Sequence, residues 1–274
     1  MGLGPTLKIT LVVMLMEQNV RYLHKKEGPL WYFKVYNFND LRDLLENVTD
    51  KIRDYVFRGQ SKADWELVST LYQLIERARR TGAKHSSVER FVRLHLDRFK
   101  LEIRGRRGDN PPKLDDDELW ALGQHYGLAT PLLDWSKSPY ISLFFALEEM
   151  NEYSENRALW CLNTKEVEEK NKNLSKREKL YLIFPDTDDN KRLLGQSGLF
   201  SKGPVMKSVN AWVMEKFNDS NNPTLLKIEM PGDHNFRKET LKTLELMNIT
   251  HSTIFPDLIG ASRFCNIVAE DYET

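Results

Sequence analysis

The segment that most constrains the fold is a short apolar helix predicted for residues 139–147. Ser138 precedes Pro139, and this pair is typical of a helix start, because the serine hydroxyl accepts a bond from a free amide while proline has no amide to leave unpaired. The residues that follow are apolar on nearly every side of the helix: Ile141, Leu143, Phe144, Phe145, Ala146 and Leu147. Other elements have to cover such a helix, so we expect it at the centre of the molecule.

Short apolar or alternating segments around this helix predict a β-sheet. They cover residues 31–36, 54–60, 132–135, 158–162, 181–184 and 224–230. Helices are predicted at residues 41–48, 67–80, 87–104, 118–126, 235–247 and 258–270. Ser86 and Glu89 are expected to form a capping box at the start of the third. Residues 164–179 are charged throughout and are expected to form an exposed helix or loop. We expect an α+β fold with a central mixed or antiparallel sheet, flanking helices and a helical insertion.

The chain shows no segment that we expect to enter a membrane. Residues 7–16 are mostly apolar, but a bilayer span takes about 20 such residues. Polar residues follow where a signal peptide would have small ones. We therefore expect a strand or extension within residues 1–28, and then one domain over residues 29–274 with its helical insertion around residues 67–126. Cys161 and Cys265 are too few for a disulfide framework or a Cys-rich zinc site, which favours the cytoplasm.

The charges balance over the whole chain but not locally. The 274 residues hold 40 Lys and Arg against 40 Asp and Glu, which argues against a generally basic nucleic-acid binder. Residues 76–107, however, hold eleven Lys and Arg against four acids. We favour a solvated helix face that the acidic residues 115–118 balance, and the alternative is an anion- or nucleic-acid-binding surface.

Polar side chains are dense just before the apolar helix. The familiar catalytic and phosphate-binding motifs are absent from the sequence. No pair of histidines has helical ligand spacing, so we expect no metal. The residues in question are His125, Tyr126, Asp134, Trp135 and Ser136. A polar group beside the core has to be paired or functional, because a buried unpaired one costs about 1–3 kcal/mol. On a structural interpretation, Asp134 braces the next helix and pairs with Arg58 at the end of an earlier strand.

Motifs spread along most of the chain resemble the FRG domain family, named for its Phe/Tyr-Arg-Gly motif. They are Phe57-Arg58-Gly59-Gln60, Trp65 with Leu67, Leu71-Tyr72, Gln124-His125-Tyr126-Gly127, Leu132-Leu133-Asp134-Trp135-Ser136, Leu143-Phe144-Phe145-Ala146, Gln196 with Gly198 and Phe200, and Ile254-Phe255-Pro256-Asp257-Leu258. Pro131 departs from the family pattern, which usually has an arginine there. The resemblance implies an ADP-ribosyltransferase-like, NAD-binding fold, in which an early Arg, a later strand-end hydroxyl and a third polar residue meet. Arg58, Ser136 and Gln196 follow that order.

The resemblance also implies roles for individual residues toward NAD as a substrate. Breaking the nicotinamide–ribose bond develops positive charge on the sugar, which a carboxylate or an amide can stabilise. The expected catalytic group comprises Arg58, His125, Asp134, Ser136, Gln196 and Asp257, with Asp134 orienting His125 or Arg58. The expected NAD contacts are Arg58 to the pyrophosphate, the Gly59 backbone to the carboxamide, Ser136 to the ribose, Tyr126 or Trp135 stacked on the ring, and Gln60.

Three functions follow as hypotheses. The first is an NAD-using effector that modifies a protein or nucleic-acid acceptor, as a toxin or in phage defence. The second is a module of the same fold that senses a nucleotide or another partner without turnover. The third is a nuclease, which ranks last because no cluster of metal-binding carboxylates is apparent.

Overall fold

The structure, a computed structural model, describes residues 22–48, 53–82, 87–148, 156–184, 195–220 and 222–272. Most of the expected N-terminal strand or extension lies outside the described residues. The described strands are β1 (Leu23–Glu27), β2 (Leu30–Lys34), β3 (Tyr55–Gln60), β4 (Leu132–Ser136), β5 (Asn156–Asn163), β6 (Tyr181–Ile183), β7 (Gly198–Lys202) and β8 (Leu225–Pro231).

All of these strands join one mixed sheet in the order β1-β2-β8-β5-β3-β4-β7-β6. β2 and β8 pair in parallel, and the other neighbours pair antiparallel. The prediction of an α+β fold with a central mixed sheet is therefore confirmed. The sequence did not predict β7, because Gly198 and two polar residues interrupt its apolar pattern.

The described helices surround this sheet. They are α1 (Phe38–Val48), α2 (Thr70–Arg80), α3 (Val88–Glu102), α4 (Asp116–His125), α5 (Pro139–Leu147), α6 (Thr164–Asn171), α7 (Val209–Lys216), α8 (His234–Leu246), α9 (His251–Ile254) and α10 (Leu258–Tyr272). None of the helices in the described ranges is long and apolar enough to cross a membrane.

Two observed helix starts differ from the predicted ones by three residues and by one residue. α2 begins at Thr70 and not at residue 67, because the Ser69 hydroxyl accepts a bond from the Tyr72 amide and fixes the first turn there. α3 is capped by Ser87, whose hydroxyl accepts from the amide of Arg90 at 3.1 Å. Ser86 of the predicted capping box lies outside the described residues.

The apolar helix α5 lies at the centre of the core, as its sequence predicts. Leu143 and Leu147 are fully buried, in one cluster with Phe57 of β3 and Leu159 of β5. The Ser138 hydroxyl accepts from the Ile141 amide, so the predicted cap is also confirmed.

Two further clusters complete the core. One lies around the tryptophans Trp135, Trp160 and Trp212. The other joins α2, α3 and α4 to Leu132 of β4 and Phe200 of β7. His95 packs beside Trp120 of this last unit, and its Nε2 lies 3.0 Å from the Ala129 carbonyl oxygen.

Candidate functional site

The sheet opens between β3 and β4. In the described sheet these two strands are registered only at Phe57 with Ser136, whereas β3 is registered with β5 along its whole length. A cavity of about 400 Å³ lies beyond that pair, which is a size typical of small-molecule sites. Its lining comes from β3 and the loop after it, β4, α5 with Glu148, Gln196 before β7, Phe255 after α9, and Arg263 of α10.

Arg58 of β3 spans this opening. Its Nη1 donates to the backbone carbonyl oxygen of Asp134 at 2.8 Å and lies 3.6 Å from the Asp134 carboxylate. The side chain is 24% exposed, and its Nε is buried without a hydrogen-bond partner. Burial lowers the pKa of Arg58, and the Asp134 carboxylate opposes that shift. The guanidinium stays cationic at neutral pH, so the cavity wall carries a positive charge whose Nε keeps a buried, unbonded donor.

Asp134 orients Arg58 and Gln124. Its Oδ1 accepts from Gln124 Nε2 at 2.6 Å, and Gln124 in turn accepts from the hydroxyl of Thr130. The carboxylate is 61% exposed at the mouth of the cavity. Of the two partners that the sequence offered for Asp134, the structure places Arg58 against it.

Ser136 lies at the end of β4 and lines the cavity, but its proton is already used. Its hydroxyl donates to the backbone carbonyl oxygen of Gln196 at 2.7 Å and accepts from the amide of Ser138 at 3.0 Å. A hydroxyl has one proton and two lone pairs. Ser136 can therefore accept one further bond and cannot donate.

The two glutamines of the lining are also held by internal bonds. Gln60 accepts from the Trp160 indole at 2.8 Å and donates to the carbonyl oxygen of Glu66 at 3.3 Å. Gln196 donates to the carbonyl oxygen of Ile254 at 3.4 Å. These bonds tie the cavity wall to β5 and α9, and they leave each glutamine only part of its capacity for a ligand.

Gly59 is required by the packing of α5. A Cβ at this position would overlap the carbonyl oxygen of Ser142 and lie 2.6 Å from the amide nitrogen of Ala146. Those atoms belong to a helix backbone that cannot turn aside. The need for glycine thus has a structural cause, and the expected contact between the Gly59 backbone and a nicotinamide carboxamide stays a prediction.

Four other sequence-predicted side chains are not brought to the cavity as ligand groups. Trp135 is one of the lining residues, but its side chain is buried in the cluster around Trp160 and Trp212, and its indole donates to the Ser201 hydroxyl at 2.8 Å. His125 and Tyr126 pack edge to face at the end of α4, and neither lines the cavity. Asp257 accepts from the Gly260 amide at 3.0 Å and caps the first turn of α10.

The sequence analysis missed Ser61, Ser142, Glu148 and Arg263 of the cavity wall, and two of these keep a buried polar atom without a hydrogen bond. Ser142 of α5 is 1% exposed, and its hydroxyl makes no hydrogen bond. Glu148 directly follows α5, and its buried Oε2 accepts no hydrogen bond, although the Nε2 of His251 lies 3.5 Å away. A serine inside an otherwise apolar helix and an acid at its end are the signals that point to this pair.

An aromatic and basic rim completes the site. Trp65 is 48% exposed, and Phe145 and Phe255 contribute ring edges to the same wall. Arg263 of α10 lines the cavity with its guanidinium carbon 5.8 Å from the centre of the Phe255 ring. The cavity thus combines two arginines, two carboxylates, a free hydroxyl and an accessible indole.

The FRG domain family matches residues 53–155 of the chain. This part of the chain is an FRG domain. The matched segment supplies Arg58, Asp134, Ser136, Ser142 and Glu148, whereas Gln196, Phe255 and Arg263 come from outside it. The wider domain that we expect over residues 29–274 stays a prediction.

No curated protein and no solved structure matches the chain. Across the described ranges, no three His, Cys, Asp or Glu side chains lie together as a metal-binding group.

Proposed function

We propose that the FRG chain binds NAD in the cavity between β3 and β4 and splits the bond between nicotinamide and ribose. One observation carries the proposal. Arg58 Nε, Ser142 Oγ and Glu148 Oε2 are buried without hydrogen-bond partners, and all three side chains line the same cavity. Each such atom costs about 1–3 kcal/mol, so a ligand that bonds to these side chains as they turn toward the cavity recovers what the empty site loses.

The chemistry of these groups suits a dinucleotide. Arg58 and Arg263 are guanidinium groups, which bind pyrophosphate oxygens by charge-assisted bonds. Ser142 and Glu148 offer the donor and acceptors that ribose hydroxyls need. Trp65 is exposed at the rim, where a flat base or a nicotinamide ring can stack on it.

Glu148 is the carboxylate that we assign to the reaction. When the nicotinamide–ribose bond breaks, the electron pair leaves with the nicotinamide nitrogen and the sugar carbon becomes positive. A carboxylate in a partly desolvated pocket stabilises that charge. Glu148 fits this role better than Gln196, which cannot take a proton, and better than Asp257, which caps α10.

The placement of three residues supports kinship with ADP-ribosyltransferases. Arg58 on an early strand, Ser136 at the end of a later one and Gln196 before a third all line the cavity. We extend the proposal to an effector that acts on a macromolecule in the cytoplasm, as a toxin or in phage defence. The two cysteines are free, which suits a reducing compartment.

A second candidate is a sensor that binds the nucleotide without splitting it. The internal hydrogen bonds of Ser136, Gln60 and Gln196 favour it, because these residues hold the wall in place and leave few groups free to move a proton.

Nicotinamide release separates the two candidates. We expect the pure protein, incubated with NAD, to release nicotinamide, and we expect Glu148→Gln to lose at least about 100-fold of that rate, since the variant keeps the shape but not the charge. Glu46→Gln, an exposed acid of α1, is the control and should release nicotinamide normally. Binding without release in the wild type would establish the sensor, and neither binding nor release would refute the proposal.

A further inference from the structure

A second charged surface lies on α3 and the turn after it, and none of its residues lines the cavity. Its cations are Arg90, Arg93, Arg98 and Arg104, and all four are exposed. They cover about 20 Å of helix and turn at 1.5 Å per residue. The opposite side of α3 packs on α4 through Leu96 and its neighbours, so this row of arginines faces away from the core. We name these four residues the arginine surface.

The acidic residues 115–118 do not neutralise the arginine surface. Asp115 and Glu118 bond to each other's backbone amides in a capping box at the start of α4. Asp116 pairs with Lys100 at 2.6 Å, and Asp117 pairs with Lys202. The four acids that were expected to balance the basic segment therefore bond to the start of α4 or to lysines, and not to these arginines. Throughout the described ranges, no carboxylate forms an ion pair with any arginine of the surface.

We propose that the arginine surface binds nucleic acid through its phosphate backbone. In the described structure these four exposed arginines form no ion pair with the acids of the same helix (Glu89, Asp97 and Glu102), so their charges are open to a polyanion, and their forked donors match phosphate oxygens in pairs. Among the described cations of α3, only its single lysine, Lys100, forms ion pairs with carboxylates. The neutral net charge of the chain does not oppose this, because binding depends on the local row of charge.

Leu94 and Leu101 lie on the same exposed face, at 53% and 57% exposure. Beside the arginines they are placed to touch the sugar edges of a bound strand. Leu94 and Leu101 could also contact an acidic, partly apolar helix of a protein, and the test therefore includes an acidic protein probe. The inference does not depend on NAD binding, since the two surfaces share no residue.

The test is fluorescence anisotropy with a labelled DNA duplex of about 20 base pairs, two turns, and with an RNA duplex of the same sequence. For four phosphate contacts we expect the logarithm of the binding constant to fall with the logarithm of salt concentration at a slope of about −3.6. Arg93→Ser alone should reduce that slope by about 1. Labelled poly-glutamate serves as the acidic protein probe.

Two variants of equal charge change complete the design. One carries Arg90→Ser, Arg93→Ser, Arg98→Ser and Arg104→Ser, and the control carries Lys165→Ser, Lys172→Ser, Lys176→Ser and Arg177→Ser, which are exposed on α6 and the turn after it. We expect the first to lose duplex binding at least about 100-fold while the control binds as the wild type and both keep the wild-type melting temperature. Equal loss in both variants, no duplex binding by the wild type, or tight binding of poly-glutamate alone would overturn the proposal.

Discussion

Individual buried atoms decide what the cavity can bind. Gln60 and Ser136 have hydrogen bonds inside the protein, so the folded chain gains little by offering them to a ligand. Ser142 and Arg58 each keep a buried polar atom without a partner in the same wall. Because burial without a hydrogen bond is unfavourable, these two residues, with Glu148, mark the surface that a ligand completes.

Replacing Gly59 by alanine tests whether α5 packs directly on β3. The new methyl group would overlap the backbone of Ser142, and a helix backbone has no alternative rotamer. We expect the free energy of unfolding to fall by about 3 kcal/mol, the upper end for overpacking, in urea denaturation. In Gly203→Ala the methyl group meets the flexible end of Leu180, so this control should lose less than about 1 kcal/mol. Equal losses in the two variants would show that the close packing is incorrect.

Residue types at strand ends predicted part of the site and missed the rest. Arg58 and Ser136 were found because polar side chains next to apolar strands are conspicuous, whereas Gln196 was found only through the family resemblance. Ser142 and Glu148 were missed because they belong to a helix whose apolar neighbours predict only a core. A carboxylate such as Asp257 looks equally reactive in a sequence whether it caps a helix or faces a ligand, and only the fold separates the two.

At the scale of elements, hydrogen bonds at helix ends hold α5 in its buried position. Its first turn is capped by Ser138, and its last carbonyl groups accept from two buried arginines, Arg157 to Ala146 and Arg237 to Leu147. Charged donors satisfy the carbonyl oxygens that a helix end leaves free, and they suit its negative dipole. The central helix is thereby fixed at both ends, which positions Ser142 and Glu148 along the cavity.

The segment after α6 is tied to α7 by Glu178, and this contact depends on pH. Hydrogen bonds from Lys216 and Ser175 lower the pKa of Glu178 to about 2. Since this value is below the ordinary one near 4.5, the contribution of Glu178 to stability is fully present above pH 4.5 and disappears as the pH falls toward 2.

Urea denaturation of wild type and Glu178→Gln between neutral pH and pH 2 measures this contribution. We expect the difference in unfolding free energy between the two proteins to shrink through that window. Lys216→Met removes the first partner of Glu178. In this background we expect Glu178→Gln to change the unfolding free energy less, already at neutral pH. A difference that stays constant with pH would contradict the assigned pKa.

Elements were easier to predict than their pairing. The start of α5 and the position of β3 follow from local residue types, and both are confirmed. The neighbour of each strand does not follow from them, because the sheet order places β8 between β2 and β5 and depends on contacts between distant segments. β7 was not predicted because its apolar pattern is interrupted. In the structure it is stabilised by pairing with β4 on one side and β6 on the other.

At the scale of the whole molecule, the opening between β3 and β4 is the feature that joins the fold to its proposed function. An antiparallel pair that continued past Phe57 and Ser136 would fill this space with backbone hydrogen bonds. Arg58 instead bridges the gap by its side chain and leaves room for a ligand. The FRG segment supplies two walls, and the C-terminal helices supply a third, so the cavity requires the chain well beyond the matched residues.

Isothermal titration of NAD into wild type and Ser142→Ala, combined with their unfolding free energies, tests the central claim most directly. Because the Ser142 hydroxyl is buried without a partner, its removal should stabilise the free protein or leave it unchanged, while NAD binds about 5–10-fold more weakly through the loss of one hydrogen bond. Ser201→Ala, which deprives the Trp135 indole of its acceptor outside the cavity, should instead lower stability and leave NAD affinity unchanged. A wild type that does not bind NAD, or a Ser142→Ala protein that is less stable with unchanged affinity, would contradict the account.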